Sequence, residues 1–140
     1  MSFQTSRFSY ERGEVNRIIN EIKGRKSFKE IDVETIDSWG ETLGKMLSRN
    51  LKTSQIRRIF SEFKKLHTEI KSGKVERIRE KVLLLKPRLA YVAGRHAEAK
   101  PLTNVLSEGI KKIADLEDYE RFFQLFEAIL AYHKYYGGKD

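Results

Sequence analysis

The sequence predicts an all-α fold, a compact bundle of five to six helices. Apolar residues recur at three- and four-residue intervals along most of the chain, alternating β-branched runs are few, and the 140 residues contain only 2 prolines. Residues 1–140 are expected to form a single helical domain, long enough to bury a hydrophobic core. Residues 1–10 show no clear periodicity and are expected to be a flexible, extended arm.

A first helix is expected from Glu11 to Lys23, with Val15, Ile18, Ile19 and Ile22 at helical spacing and Gly24 ending it. Asp32 is the expected cap of a second helix running to about Arg49. Its inner face includes Ile36, Leu43 and Leu47, with Trp39, the only tryptophan, assigned to the core beside them. Asn50 to Ser54 reads as a turn, and Thr53 or Ser54 as the N-cap of a third helix. That helix has the cleanest stripe: Ile56, Ile59, Phe60, Phe63, Leu66 and Ile70, stopped by Ser72-Gly73.

A fourth helix places Val75, Ile78, Val82 and Leu85 inward. Pro87 interrupts or restarts it, because the residue before a proline disfavours helical geometry. Ala90 to Arg95 then continues as a short helix of small residues. His96 to Lys100 is a loop, and Pro101 suits the first position of a fifth helix buried through Leu102, Val105, Leu106, Ile110 and Ile113. The last helix, from about Asp118 to Tyr136, is apolar over most of its circumference and is therefore expected at the centre of the bundle. Acids at its start, Lys134 in its last turn and Gly137-Gly138 beyond it all suit a helix of that polarity.

The chain has no cysteine, which excludes disulfides, zinc fingers and thiol catalysis and suits a reducing cytosol. No apolar run approaches the roughly 18–20 residues that cross a bilayer, and Met1-Ser2-Phe3-Gln4-Thr5 lacks a signal-peptide core. A cytoplasmic protein with no membrane partner is expected.

The formal net charge is +8, and its distribution is more informative than its size. Residues 1–44 carry 7 Lys and Arg against 8 acids, and residues 101–140 carry 5 against 7. Residues 45–100 carry 16 against 5, more than the whole excess. A basic segment concentrated on a structured domain is the electrostatic footprint of a polyanion partner.

On the third helix Arg57, Lys64 and Lys71 fall on one ridge, each seven residues after the last, with Ser61 and Thr68 between them. The ridge spans roughly 21 Å, a length over which a sugar–phosphate backbone presents several charges. Arg58 and Lys65 widen it, and only Glu62 and Glu69 lie between Arg57 and Lys71 to offset it. Such cations bind phosphate and read no base. A second cluster gathers Lys86, Arg88 and Arg95 with Tyr91, a residue suited either to stacking on a base or to a core edge.

No metal, cofactor or catalytic site is expected. His67 and His133 fall on apolar sides of their helices as packing residues, and His96 is placed in a loop and expected to have no nearby carboxylate in sequence. No HExxH, paired-aspartate or Gly-rich phosphate-loop pattern occurs. Gly13, Gly40, Gly44 and Gly109 are read as permitting close helix packing.

Three segments carry a family resemblance: Leu51-Lys52-Thr53-Ser54-Gln55-Ile56-Arg57-Arg58, Lys86 through Arg95, and Phe126-Glu127-Ala128-Ile129-Leu130-Ala131-Tyr132-His133-Lys134. Over residues 40–136 the chain resembles the small helical subunit of type III-A CRISPR–Cas effector complexes, while residues 1–35 add nothing to the match. The resemblance implies a non-catalytic subunit of an antiviral complex, present in a few copies that line the belly of the effector. There it would contact guide RNA paired to target RNA and pack against other subunits and neighbouring copies of itself. It makes Lys52, Arg57, Arg58, Lys86, Arg88, Arg95 and Lys134 candidates for phosphate contact, to which the third-helix ridge adds Lys64 and Lys71. Isolated protein is expected to self-associate. The competing readings are a helical adaptor with a basic docking surface and an RNA-cleaving enzyme built on His96 or His133.

Overall fold

The computed structural model describes the backbone of residues 3–140 and the side chains from Tyr10 onward. The described residues form α1 (Phe3–Lys23), α2 (Val33–Leu47), α3 (Thr53–Lys71), α4 (Ile78–Leu83), α5 (Leu85–Arg95), α6 (Lys100–Ile110) and α7 (Leu116–Tyr135). Short 3₁₀ turns at Phe28–Glu30 and Ala97–Ala99 link neighbouring helices, and no strand occurs among the described residues. The all-α bundle expected from the apolar periodicity is the fold observed.

Helix α7 is central because both of its broad sides are apolar. Tyr119, Phe122, Phe123, Leu125, Phe126, Ile129 and His133 are all buried. Helix α3 lies antiparallel to it, with Phe60 and Phe63 packed among Phe122, Phe123 and Phe126 at ring separations of 5.1 to 5.5 Å. The Tyr119 hydroxyl donates to the Phe63 carbonyl at 2.6 Å, which satisfies its only polar group inside the core. Burial pushes the Tyr119 phenol far above its ordinary titration range.

Helix α2 runs parallel to α7 on another side, and here the backbones nearly touch. A β-carbon at Gly40 would lie 2.5 Å from the Ala128 β-carbon, and one at Gly44 would lie 2.8 Å from the Ile129 carbonyl oxygen. Gly109 of α6 likewise leaves room for the Phe122 ring, which a β-carbon would meet at 2.7 Å. Gly13 was expected to do the same, but it faces open space.

A buried carboxylate holds the N-terminus of α7. Asp118 is fully buried, and its two oxygens accept from the backbone amides of Lys29 and Ala114, each at 2.9 Å. The same carboxylate therefore joins the 3₁₀ turn after α1 to the turn after α6. Arg121 extends the connection by donating to the Ile31 carbonyl at 2.6 Å. Arg79 closes the C-terminus of α6 by donating to the carbonyls of Ile110 and Ile113.

Several boundaries differ from the sequence expectation for identifiable reasons. The backbone is already helical from Phe3, where an arm was expected over residues 1–10; residues 1–2 lie outside the described residues. The cap of α3 is Lys52 rather than Thr53 or Ser54. The Thr53 amide and hydroxyl are taken by the carbonyls of Lys139 and Gly138, at 2.6 and 3.2 Å, so the C-terminal segment occupies the capping position. Helix α4 starts only at Ile78, because Gly73 and Arg77 adopt left-handed backbone with φ of 97° and 57°. Val75 consequently lies in that connection and is exposed rather than inward.

The break expected at Pro87 falls instead at Leu84, between α4 and α5. Pro87 occupies the first turn of α5, where its missing N–H is one that would have had no helical partner. The interrupted fourth helix is therefore two segments, giving seven α-helices among the described residues.

Asp32 caps α2 as expected, its carboxylate accepting from the Thr35 amide at 2.8 Å, and Asp115 caps α7 in the same way through Asp118 N at 3.0 Å. The bonds from Thr35 hold the Asp32 carboxyl below its ordinary titration range. Asp115 is lowered by its bond to the Lys29 ammonium, then by the Asp118 amide. Both carboxylates therefore contribute stability above their unfolded pKa, near pH 4, and lose it as pH falls through the lower folded values.

The close α2–α7 approach yields a direct test. Gly44→Ala should lower unfolding free energy by about 1–3 kcal/mol through overpacking, whereas Gly13→Ala should raise it by about 0.5–1 kcal/mol. Urea denaturation followed by circular dichroism measures both. The caps yield another: replacing Asp32 and Asp115 together with Asn keeps cap geometry but removes two titrating groups. The loss of stability on acidification below about pH 5 should be shallower than in the unsubstituted protein, as read from thermal midpoints across pH.

Candidate nucleic-acid interface

Burying one stripe of α3 sends its cations to two exposed flanks. Advancing about 100° per residue, the core stripe of Ile56, Ile59, Phe63, Leu66 and Ile70 leaves Arg57, Lys64 and Lys71 on the flank nearest α7. Arg58 and Lys65 lie on the side nearer α5. Arg57, Arg58, Lys64 and Lys71 are all exposed, and none forms an ion pair among the described residues. The reason is long-range. Glu62 is engaged by Arg88 of α5 and, at 3.9 Å, by Lys65; Glu69 lies 3.8 Å from Lys81 of α4.

The ridge of Arg57, Lys64 and Lys71 does not face open solvent alone. His67, between Lys64 and Lys71, stacks its ring on Phe123 at 4.1 Å with an interplanar angle of 6°. It senses the charges of Lys64 and Lys71 on its own helix and of Glu120 and Glu127 on α7. Acids of α7 and lysines of α3 thus act on the same imidazole with opposite sign. Desolvation against Phe123, and secondarily Lys71, lowers the His67 pKa, so the imidazole favours its neutral form.

The remaining predicted cations are spread over the molecule. Lys52 is exposed just before α3, its backbone amide held by the Gln55 side chain at 3.0 Å. Lys134 stands at the end of α7, where Asp140 lies 3.6 Å from its ammonium. On α5, Lys86 is half-buried. Arg88 pairs with Glu62, and Arg95 lies over the Tyr91 ring at 5.9 Å from its centroid. Arg58, Arg88 and Tyr91 line a common cleft between α3 and α5. Tyr91 is 66% exposed, which resolves the choice between stacking position and core edge in favour of the surface.

The histidines do not assemble a site. His133 is fully buried, with Nε2 2.6 Å from the Leu51 carbonyl oxygen and the Gly138 backbone packed on its ring. The expectation that His96 has no nearby carboxylate in sequence is corrected: Glu98 stands two residues on, and across the Ala97–Ala99 3₁₀ turn its Oε1 lies 3.4 Å from His96 Nδ1. Glu98 in turn accepts from Gln55 at 3.0 Å. Among the described residues, no group of three or more His, Asp or Glu side chains is placed to hold a metal ion, and no helix is long and apolar enough to cross a membrane.

Sequence reasoning missed the hydroxyl contacts that fasten the end of α7 to α2. The Tyr132 hydroxyl donates to Asp37 at 2.7 Å, and Tyr136 donates to Glu41. Hydrogen bonding to the Asp37 carboxylate pushes the Tyr132 phenol up to about 12. Each pair is separated by 95 residues, so only the parallel pairing of the two helices could have disclosed them.

The fold and surface define a small all-α protein whose central helix is aromatic and whose third helix carries exposed cations without ion-pair partners among the described residues. Comparison with known proteins is more specific. The family model Csm2 Type III-A matches residues 30–139. The protein described as "CRISPR system Cms protein Csm2" from Streptococcus thermophilus is 38% identical over 92 residues, which cover 64% of this chain and 76% of that protein. The chain belongs to the Csm2 family of type III-A CRISPR systems, and is a small subunit of a type III-A complex.

The His67 environment makes a testable statement about pH. Because its folded pKa is lowered, its contribution to stability is complete above the ordinary imidazole value of about 6.5 and declines as pH falls below it. In an NMR titration His67 should protonate below that value. Lys71→Ala should move its midpoint upward by removing a repulsive neighbour.

Proposed function

We propose that this small subunit is a non-catalytic, cytoplasmic RNA-binding component that contacts the backbone of the guide RNA–target RNA duplex. In that reading the 140 residues act as one domain that packs beside other type III-A subunits and neighbouring copies of itself in antiviral defence. The observation that carries it is the release of Arg57, Arg58, Lys64 and Lys71 from acidic partners, because α4 and α5 supply the cations that engage Glu62 and Glu69. Free guanidinium and ammonium groups along one helix contact phosphates without reading bases, which suits a subunit that must accept any guide sequence. Lys52, Lys86, Arg88, Arg95 and Lys134 would extend the contact. Arg88 and Lys134 would first exchange an acidic partner for phosphate.

Salt dependence provides the test. If all three ridge residues touch phosphates, replacing Arg57, Lys64 and Lys71 with Ala should weaken binding to an RNA duplex and flatten the log affinity–log salt slope by about two units. The loss should be similar for unrelated RNA sequences. Folding should survive, since all three positions are exposed and alanine favours helix. Replacing Glu120 and Glu127 with Ala should strengthen binding by removing α7 acids whose charges, like those of Lys64 and Lys71, are felt at His67. A triple variant that folds, binds with unchanged affinity and keeps its salt slope would reduce the ridge to a solvated surface.

A further inference from the structure

The cleft between α3 and α5 differs in kind from the cationic ridge. It has a volume of about 400 Å³, and its floor is apolar, formed by Ile59, Phe63 and Leu89. Its rim carries Arg58, Arg88 and the exposed ring of Tyr91, against which Arg95 lies one helical turn further on. Glu62 is the acid on this rim, and it is already paired with Arg88. Phosphate-backbone contact alone has no use for an apolar floor with an aromatic edge.

We infer that this cleft receives one unpaired nucleobase of the bound RNA, stacked on Tyr91, with Arg58 and Arg95 holding the flanking phosphates. The inference rests on the RNA-binding reading above and assigns that surface a second mode of contact. Three features favour a base over a protein side chain. Arg58 and Arg88 line the cleft and Arg95 adjoins Tyr91, against the single carboxylate of Glu62 that Arg88 engages, a charge balance complementary to a nucleotide and its neighbouring phosphates. Tyr91 is 66% exposed, yet Arg95 lies beside its ring and donates to its hydroxyl at 3.3 Å, so the aromatic surface is oriented rather than free to turn. Arg58 lines the cleft from α3 and Arg95 adjoins Tyr91 on α5, so the two cations approach from different helices, as the phosphates on either side of a single splayed nucleotide require. Stacking of this kind tolerates every base, because each presents a π-face.

The test compares two RNA duplexes of identical sequence, one fully paired and one with a single bulged 2-aminopurine. The full-length protein should bind the bulged duplex roughly fivefold or more tightly than the paired one, and the 2-aminopurine fluorescence should be quenched on binding. Tyr91→Ala should abolish both the preference and the quenching while leaving affinity for the paired duplex unchanged; Tyr91→Phe should retain both. Circular dichroism establishes that each variant is folded. Equal affinity of the unsubstituted protein for the two duplexes overturns the inference and leaves the backbone-binding reading standing. A preference that persists in Tyr91→Ala also overturns it. Loss of co-purifying effector subunits from Tyr91→Ala, with base preference intact, assigns the cleft to a protein partner and overturns it likewise. Failure to bind either duplex overturns this inference and the RNA-binding reading together.

Discussion

The close approach of α2 to α7 is the contact on which the rest of the molecule depends. Two glycines one turn apart, Gly40 and Gly44, admit the backbone of α7 at Ala128, Ile129 and Tyr132. Glycine inside a helix costs about 1 kcal/mol each relative to alanine, so the bundle offsets this local penalty with tertiary contact. Because α2 and α7 are locked in parallel register, the aromatic surface of α7 is turned toward α3. Phe60, Phe63 and His67 are thereby fixed against Phe122, Phe123 and Phe126. The outward direction of every α3 cation follows from that docking. The basic surface is therefore a consequence of packing on the opposite side of α7.

A single buried carboxylate complements this arrangement. Asp118 bonds two amides from distant segments, and both bonds lie at the end of α7 away from the Gly44 contact. A buried anion is costly unless hydrogen-bonded, and here the amides of Lys29 and Ala114 supply the bonds. The central helix is consequently held toward its C-terminus by the close small-residue contact together with the Tyr132 and Tyr136 hydroxyl bonds to α2, and at its N-terminus by the Asp118 bonds. Its middle is left to apolar packing, which has less directional preference.

Much of this was legible in the sequence where the signal is periodic and local. The α3 stripe, the Asp32 cap and the apolar circumference of α7 all follow from residues within a few turns of one another. What escaped the sequence depended on distant partners. Nothing near Thr53 shows that Gly138 and Lys139 will take its hydrogen-bonding groups. Nothing near Val75 shows that Arg77 will turn left-handed and delay α4 until Ile78. The candidate surface divides in the same way. The Arg57, Lys64 and Lys71 ridge follows from seven-residue spacing, but engagement of Glu62 by Arg88 spans 26 residues. The three segments that carried the family resemblance lie mainly in α3, α5 and α7, which meet around the cleft and the aromatic core.

The seating of Gly138 and Lys139 on the first turn of α3 has a wider consequence. The amide end of a helix is an intrinsic anion site, but here the Thr53 amide is already bonded to the chain's own carbonyl. A polyanion meeting α3 therefore finds separate charges on flexible side chains rather than one preformed backbone cradle. Such a surface is divisible: cations can be lost, gained or shifted by a turn during sequence divergence, with affinity changing in steps while the scaffold stays intact. Homologues could thus retain a common role while sharing few basic positions.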